Sequence, residues 1–248
     1  LAPYSDIDLM VLYRPEAKSQ VESLVRAVLH PLWDCGFQVG HSVRTINDCI
    51  ELAESDATVK TSMMESRFLA GSPELFEQFH GRYLRKVVAK GTDTYLDQKL
   101  EERRREYLKF GETVYLLEPN VKKSKGGLRD LHLLQWAGMA RYQAPTIREL
   151  SDRGILSRAD SMALTEARDF LWRVRALLHV HAGAAQESDR RAPPVVDDEV
   201  ARAVLVEVGR HAAHRRHRRR VPAQRRRREH VRRVTPARPG DRRDHHLV

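Results

Sequence analysis

Two cysteines among 248 residues are too few for a disulfide framework, which excludes a small cross-linked secreted scaffold. Cys35 and Cys49 read instead as reduced thiols of a cytoplasmic protein. Their spacing around His41 fits no zinc pattern. No apolar run approaches the roughly 20 residues that span a bilayer. No basic segment followed by an apolar stretch opens the chain as a secretion signal would. Position 1 is Leu rather than Met, which reads as a fragment boundary. Internal repeats are absent too. What remains is a chain with 41% hydrophobic residues, long enough to bury a sizeable core.

Lysine and aromatic side chains are missing from the C-terminal stretch. Residues 211–248 hold 14 arginines, no lysine and 3 acids, a net +11. Residues 1–210 hold 30 basic and 31 acidic residues, a net −1. The overall +10 therefore says nothing about what the body binds. The tail has no apolar periodicity and cannot build a core. Three readings stay open for 185–248: out-of-frame translation of a GC-rich gene, a basic arm that contacts nucleic-acid phosphates, or a solvated tail without function. The second lacks aromatic side chains for base stacking.

Residues 7–13 read as a buried strand, short and rich in branched side chains. Residues 16–34 read as an amphipathic helix through Val21, Leu24, Val25, Val28, Leu29 and Leu32, which Pro31 kinks or ends. Residues 37–45 alternate as a second strand. Residues 46–70 read as one helix stopped by Gly71. Ser72 and Pro73 then supply an N-cap and first helical position for a helix to about Val88. Residues 95–110 read as a charged helix with a solvated face and one narrow apolar stripe, Leu96, Leu100 and Tyr107. "GETVYLLEPN" reads as extended and "KKSKGG" as a polar loop. Helices follow over 128–142 and 157–181. The order implies a compact α/β unit carrying an all-helical one.

The chemistry concentrates in "SDIDL". On a strand, residues two apart share a face, so Asp6 and Asp8 project together. Two adjacent carboxylates repel unless something positive lies between them. A hard divalent cation such as Mg²⁺ does that, and such pairs serve in-line phosphoryl transfer. The rival reading is two solvated acids at an exposed strand start. Arg44, at the end of the second strand, is placed to neutralise phosphate or to pair with Asp6 or Asp8. His41 reads as structural. Around Gly126 and Gly127, Lys122, Lys123, Lys125 and Arg129 could receive an anion at a helix start. The rival there is a solvated loop with Asp130 paired to Arg129.

"SDIDLMVLY" resembles the metal-binding strand of the DNA polymerase β-like nucleotidyltransferase superfamily. "GHSVRT" (40–45), Asp56, Thr58, "ESR" (65–67) and "LEPNVKKSKGGLRDLHLLQW" (117–136) resemble one of its families, the bacterial protein-PII uridylyltransferase/uridylyl-removing enzymes. "FLWRVRALLHVHAG" (170–183) is similar to that family's helical region. The resemblance implies an α+β fold: a truncated polymerase-β-like nucleotidyltransferase domain over 1–90, a helical domain over 91–184, and a divergent tail over 185–248. The truncation is implied because the family's glycine-rich turn, about ten residues upstream of the acid pair, precedes Leu1.

The activity implied is Mg²⁺-dependent transfer of UMP from UTP to a tyrosine of the signalling protein PII, releasing pyrophosphate. The chain as given is expected to be an incomplete copy. The resemblance makes Asp6 and Asp8 metal ligands. It makes Ser5, Arg44, Lys122 and Arg129 nucleotide-binding residues. The superfamily's third carboxylate would fall nearest Gly40, which is not an acid. Asp56 and Glu65 are the candidates for a base, with Asp56 preferred. Alternatives are an adenylyl-transferring relative and a nucleic-acid-binding protein acting through the tail. No membrane partner is expected.

Overall fold

A computed structural model describes residues 2–111 and 118–188, which fall in one compact unit. The extended reading of "GETVYLLEPN" rests mainly on 112–117, and the tail reading on 189–248. Both lie outside the described residues.

The chain opens with a parallel β–α–β unit. Strand β1 (Ile7–Leu12) leads through a single 3₁₀ turn (Pro15–Ala17) into helix α1 (Lys18–Asp34), and strand β2 (Val39–Arg44) returns beside β1. The register pairs Asp8 with Gly40, Met10 with Ser42 and Leu12 with Arg44. Helix α1 buries Val25 and Leu29 and leaves Leu24 and Val28 exposed, so only part of its apolar stripe enters the core. Pro31 sits inside the last turn of α1 without ending it. It removes one backbone donor where little ladder remains to lose.

The single helix expected over 46–70 is two helices, α2 (Ile46–Ser55) and α3 (Ala57–Met64). Asp56 between them is extended, φ −127° and ψ 116°, and its carboxylate accepts from Thr58 N at 2.6 Å and Val59 N at 3.1 Å. An aspartate that can cap a new helix competes with continuing the old one. The second helix ends at Met64, well before Gly71. Helix α4 (Pro73–Tyr83) starts as expected, with Ser72 Oγ accepting from Leu75 N, and runs into one π-helical segment, Leu84–Val88. The buried Lys60 ammonium donates to Val87 O and Lys90 O near the end of that segment and lies 4.8 Å from the Tyr95 ring centroid. A cation is well placed against free carbonyls at a helix C-terminus.

Helix α5 (Thr92–Phe110) leads towards the 118–127 turn and helices α6 (Leu128–Tyr142), α7 (Ile147–Asp152) and α8 (Arg158–Ala182). Two apolar clusters form. One joins Cys49, Ile50, Phe79, Tyr83 and Val88, with Met10 and Leu12 of β1 packed against it. The other joins Val121, Leu128, Leu131, Ile147, Leu164 and Leu171. The result is a helix-rich mixed fold with a two-stranded sheet, compatible with the α+β class. Among the described residues, no helix is long and apolar enough to cross a membrane.

Candidate active site

Strand β1 changes character along a single face. Asp8, Met10 and Leu12 alternate onto it, with Asp6 just before the strand. Met10 and Leu12 dock into the first apolar cluster, with Met10 Sδ 3.6 Å from Cys49 Sγ. Asp6 and Asp8, one step earlier, line an open cleft of about 1210 Å³. The parallel register puts Gly40, Ser42 and Arg44 on that same face, and all three line the cleft. Gly40 matters because it has no side chain: a β-carbon there would stand 2.8 Å from Asp8 Oδ1. The position where a third strand acid was sought is thus filled by Asp8's own carboxylate.

The approach to the pair is anchored. Pro3 and Tyr4 form a tight turn closed by Ser5 N to Ala2 O, with Tyr4 at φ 58°. The Pro3 carbonyl is hydrogen-bonded to Nδ1 of the fully buried His179 on α8. Ser5 Oγ is buried without a partner among the described residues, and Ser5 does not line the cleft.

None of the ion pairs among the described residues involves Asp6, Asp8 or Arg44. No side-chain cation among the described residues thus stands within ion-pair distance of either carboxylate, which leaves both free to meet a cation in the cleft. Among the described residues no group of three or more metal-ligating side chains gathers. That donor set fits Mg²⁺, which commonly takes one or two carboxylates and completes its shell with water and substrate phosphates.

Asp56 is not brought to this cleft. Its two backbone hydrogen bonds to Val59 N and Thr58 N hold its carboxyl below the usual carboxylate range. Asp56→Ala is expected to lower Tm by roughly 2–4 °C through the lost cap, as thermal unfolding would read. Glu65, at the end of α3, does line the cleft, and its Oε1 accepts from Trp136 Nε1 at 2.7 Å.

The far wall comes from α5 and α6. The solvated face expected for residues 95–110 is wrong for one stripe: Lys99 is 6% and Arg103 3% exposed. Lys99, Glu102, Arg103 and Glu106 share a helix face and all line the cleft. Arg103 uses its whole fork. Nε donates to Asp130 Oδ1 at 2.6 Å, one terminal nitrogen to Glu106 and Lys123 O, and the other to Ser124 O. Tyr107 Oη also donates to Asp130 Oδ1, and Gly126 N donates to Oδ2. Asp130 is thus spoken for, and the local Arg129–Asp130 pair does not form. "KKSKGG" is a packed turn rather than a solvated loop, since Ser124 and Gly127 are buried and a β-carbon on Gly127 would meet two carbonyls at 2.9 Å.

Arg129, His132 and Trp136 line the cleft, whereas Lys122 does not. Burial and the charges of Arg129, Lys122 and Arg175 push the His132 imidazole down to about 4. The unfolded chain binds a proton there below pH 6.5 and the folded one does not until about pH 4, so stability falls across that window. The loss is expected to be on the order of 2 kcal/mol, allowing for the ring's partial exposure. Urea unfolding at pH 7 and pH 4.5 reads it, and His132→Gln should remove that share of the pH dependence.

The sequence pattern missed the α5 stripe and the Trp136–Glu65 link. Spacing at 99, 102, 103 and 106 gave one available signal for the first. The second joins residues 71 apart in sequence.

A family model described as GlnD PII-uridylyltransferase matches residues 94–235, which runs past the point where apolar periodicity is lost. The chain is also 39% identical, over 187 residues and 75% of its length, to a bifunctional uridylyltransferase/uridylyl-removing enzyme of Azospirillum brasilense. It spans 20% of that relative's length.

Proposed function

The chain belongs to the PII-uridylyltransferase family, and from that premise we propose that its cleft binds UTP with Mg²⁺ and transfers UMP to a tyrosine of a PII-type signalling protein. One observation carries the reading: Asp6 and Asp8 share a cleft-lining strand face, with no ion-pair partner among the described side chains, beside a glycine that makes room for Asp8. Residues 1–90 would form the nucleotidyltransferase domain and 91–184 a helical one. The two apolar clusters support that division.

Asp6 and Asp8 would hold the ion, which when bound neutralises triphosphate charge and makes the α-phosphorus easier to attack. Arg44, on the same strand face, would hold a phosphate oxygen. Arg129 from the far wall would add positive charge, while Lys122 and Ser5, which do not line the cleft, would act only by holding the segments that carry Arg129 and Asp6. The tyrosine oxygen bonds to the α-phosphorus, the bond to the β-phosphate bridge breaks, and pyrophosphate leaves. The tyrosine proton needs an acceptor. Glu102 and Glu106 are paired to Lys99 and Arg103 at 2.8 and 2.9 Å. Glu65, oriented by Trp136, is the cleft carboxylate left for that role.

Incubation with a PII-type protein, Mg²⁺ and UTP or ATP tests the proposal. Mass spectrometry should find one UMP on a tyrosine with UTP and no AMP with ATP. Equal modification by ATP would assign adenylyl transfer instead.

A further inference from the structure

We propose that His179, on α8 and outside the cleft, is a positioning residue for the acid pair: its Nδ1–H, donated to the Pro3 carbonyl, sets how the chain enters β1 and so aims the Asp6 carboxylate. The inference rests on the Mg²⁺–UTP reading above and adds a residue through which α8 acts on that site.

The two carboxylates are not held alike. Asp8 lies inside the parallel ladder, opposite Gly40. The ladder starts at Ile7, whose N–H donates to Gln38 O at 2.9 Å. Asp6 lies one residue before it, so segment 2–5 decides where its carboxylate stands. That segment is a turn closed by Ser5 N–H to Ala2 O at 3.2 Å, with Ala2 buried and Tyr4 at φ 58°. Left-handed backbone at a bulky residue is costly and persists where its surroundings enforce it. The Tyr4 side chain is 59% exposed, so packing of its ring does not enforce it. The hydrogen bond from His179 grips the turn at Pro3, three residues before Asp6.

His179 carries a cost that filling space does not explain. The ring is fully buried. A carbonyl oxygen only accepts, so Nδ1 carries the hydrogen and Nε2 keeps a lone pair. Nε2 is buried without a hydrogen-bond partner among the described residues. Glu187 Oε1 stands 3.8 Å from it and is engaged by two nitrogens of Arg175, one turn earlier on α8. A buried polar atom left unpaired is destabilising, and an apolar side chain of similar volume would fill the same space without one. What the imidazole adds is the Nδ1 bond, which ties α8 to a turn 176 residues away in sequence. An outer group that orients a metal ligand is worth about ten- to hundredfold in metal affinity.

The test titrates UTP at graded Mg²⁺ and in EDTA, and follows hydrogen exchange of the peptide spanning residues 2–12. It uses the full chain and its His179→Asn, His179→Gln and His179→Phe variants, each checked for folding by thermal unfolding. An asparagine amide puts an N–H where Nδ1 stands and a glutamine amide where Nε2 stands; phenylalanine keeps the ring volume with neither. The Mg²⁺ concentration for half-maximal UTP binding is expected to rise about ten- to hundredfold in the Gln and Phe variants and to stay within about threefold of the parent in Asn. Exchange in the peptide should quicken in the same two variants and not in Asn. UTP binding in EDTA should be equal in all four, since Asp6 attracts no nucleotide without the ion, whereas a general loosening of the cleft would weaken it as well. A half-point that does not rise in Gln, or that rises as far in Asn as in Gln, overturns the positioning role. So does EDTA binding that falls in step with the Mg²⁺-dependent part. The Asn–Gln comparison decides the matter if the Phe variant does not fold. A parent without Mg²⁺-dependent UTP binding overturns the nucleotide reading and this role with it, while the exchange arm still shows whether His179 holds the turn.

Discussion

An Arg103→Met protein is expected to lose about 3–5 kcal/mol of unfolding free energy. The reason is what the substitution leaves behind. Asp130 is 2% exposed, and its Oδ1 accepts from both Arg103 Nε and Tyr107 Oη. Without the guanidinium, a buried carboxylate keeps two weaker neutral donors and no counter-charge. Lys123 O and Ser124 O also lose their donor, which loosens the turn that precedes α6. Urea denaturation measures the loss. The double variant Arg103→Met with Asp130→Leu should recover much of it, since removing both charges also removes the desolvation cost. A single variant within about 1 kcal/mol of the parent would mean that this pair does not hold α5 to α6.

Asp8→Asn is expected to behave in the opposite way, with stability kept and transfer reduced about a thousandfold or more. None of the ion pairs among the described residues includes Asp6 or Asp8, so the fold does not lean on their charge. Asparagine preserves the shape beside Gly40 and removes the charge that, on the proposed function, would hold the cation. Several kcal/mol of transition-state stabilisation through a metal corresponds to that factor, at about 1.4 kcal/mol per tenfold. Asp6→Asn should match it. An Asp8→Asn protein that transfers UMP within about tenfold of the parent would show that the pair is two solvated acids.

Much of the framework was legible because local signals agreed with tertiary context. The two strands, the helices over 16–34, 128–142 and 157–181, and the Ser72–Pro73 start all rest on periodicity or capping, which neighbours in sequence decide. That Asp6 and Asp8 reach one cleft was legible for the same reason, since a two-residue period needs no distant partner. The misses share the opposite property. The buried stripe of α5 looked solvated because its charges are neutralised partly from within, by Glu102 and Glu106, and partly by Asp130, 27 residues away. Glu65 gained its orientation from Trp136 in another helix, which no local pattern records. Asp56 is a different case. Its value as a cap was visible in Asp-x-Thr-Val, but apolar periodicity on both sides suggested one continuous helix.

The proposal that Asp6 and Asp8 hold a Mg²⁺–UTP complex is tested most directly by titrating UTP into the full chain and into Asp8→Asn, each with Mg²⁺ and with EDTA, at matched ionic strength. Tight binding should require Mg²⁺ in the parent, and the Mg²⁺-dependent part should vanish in Asp8→Asn while the residual binding through Arg129 remains. UTP affinity that is the same with and without Mg²⁺ in the parent, or a Mg²⁺ effect undiminished in Asp8→Asn, would contradict the assignment of these two carboxylates.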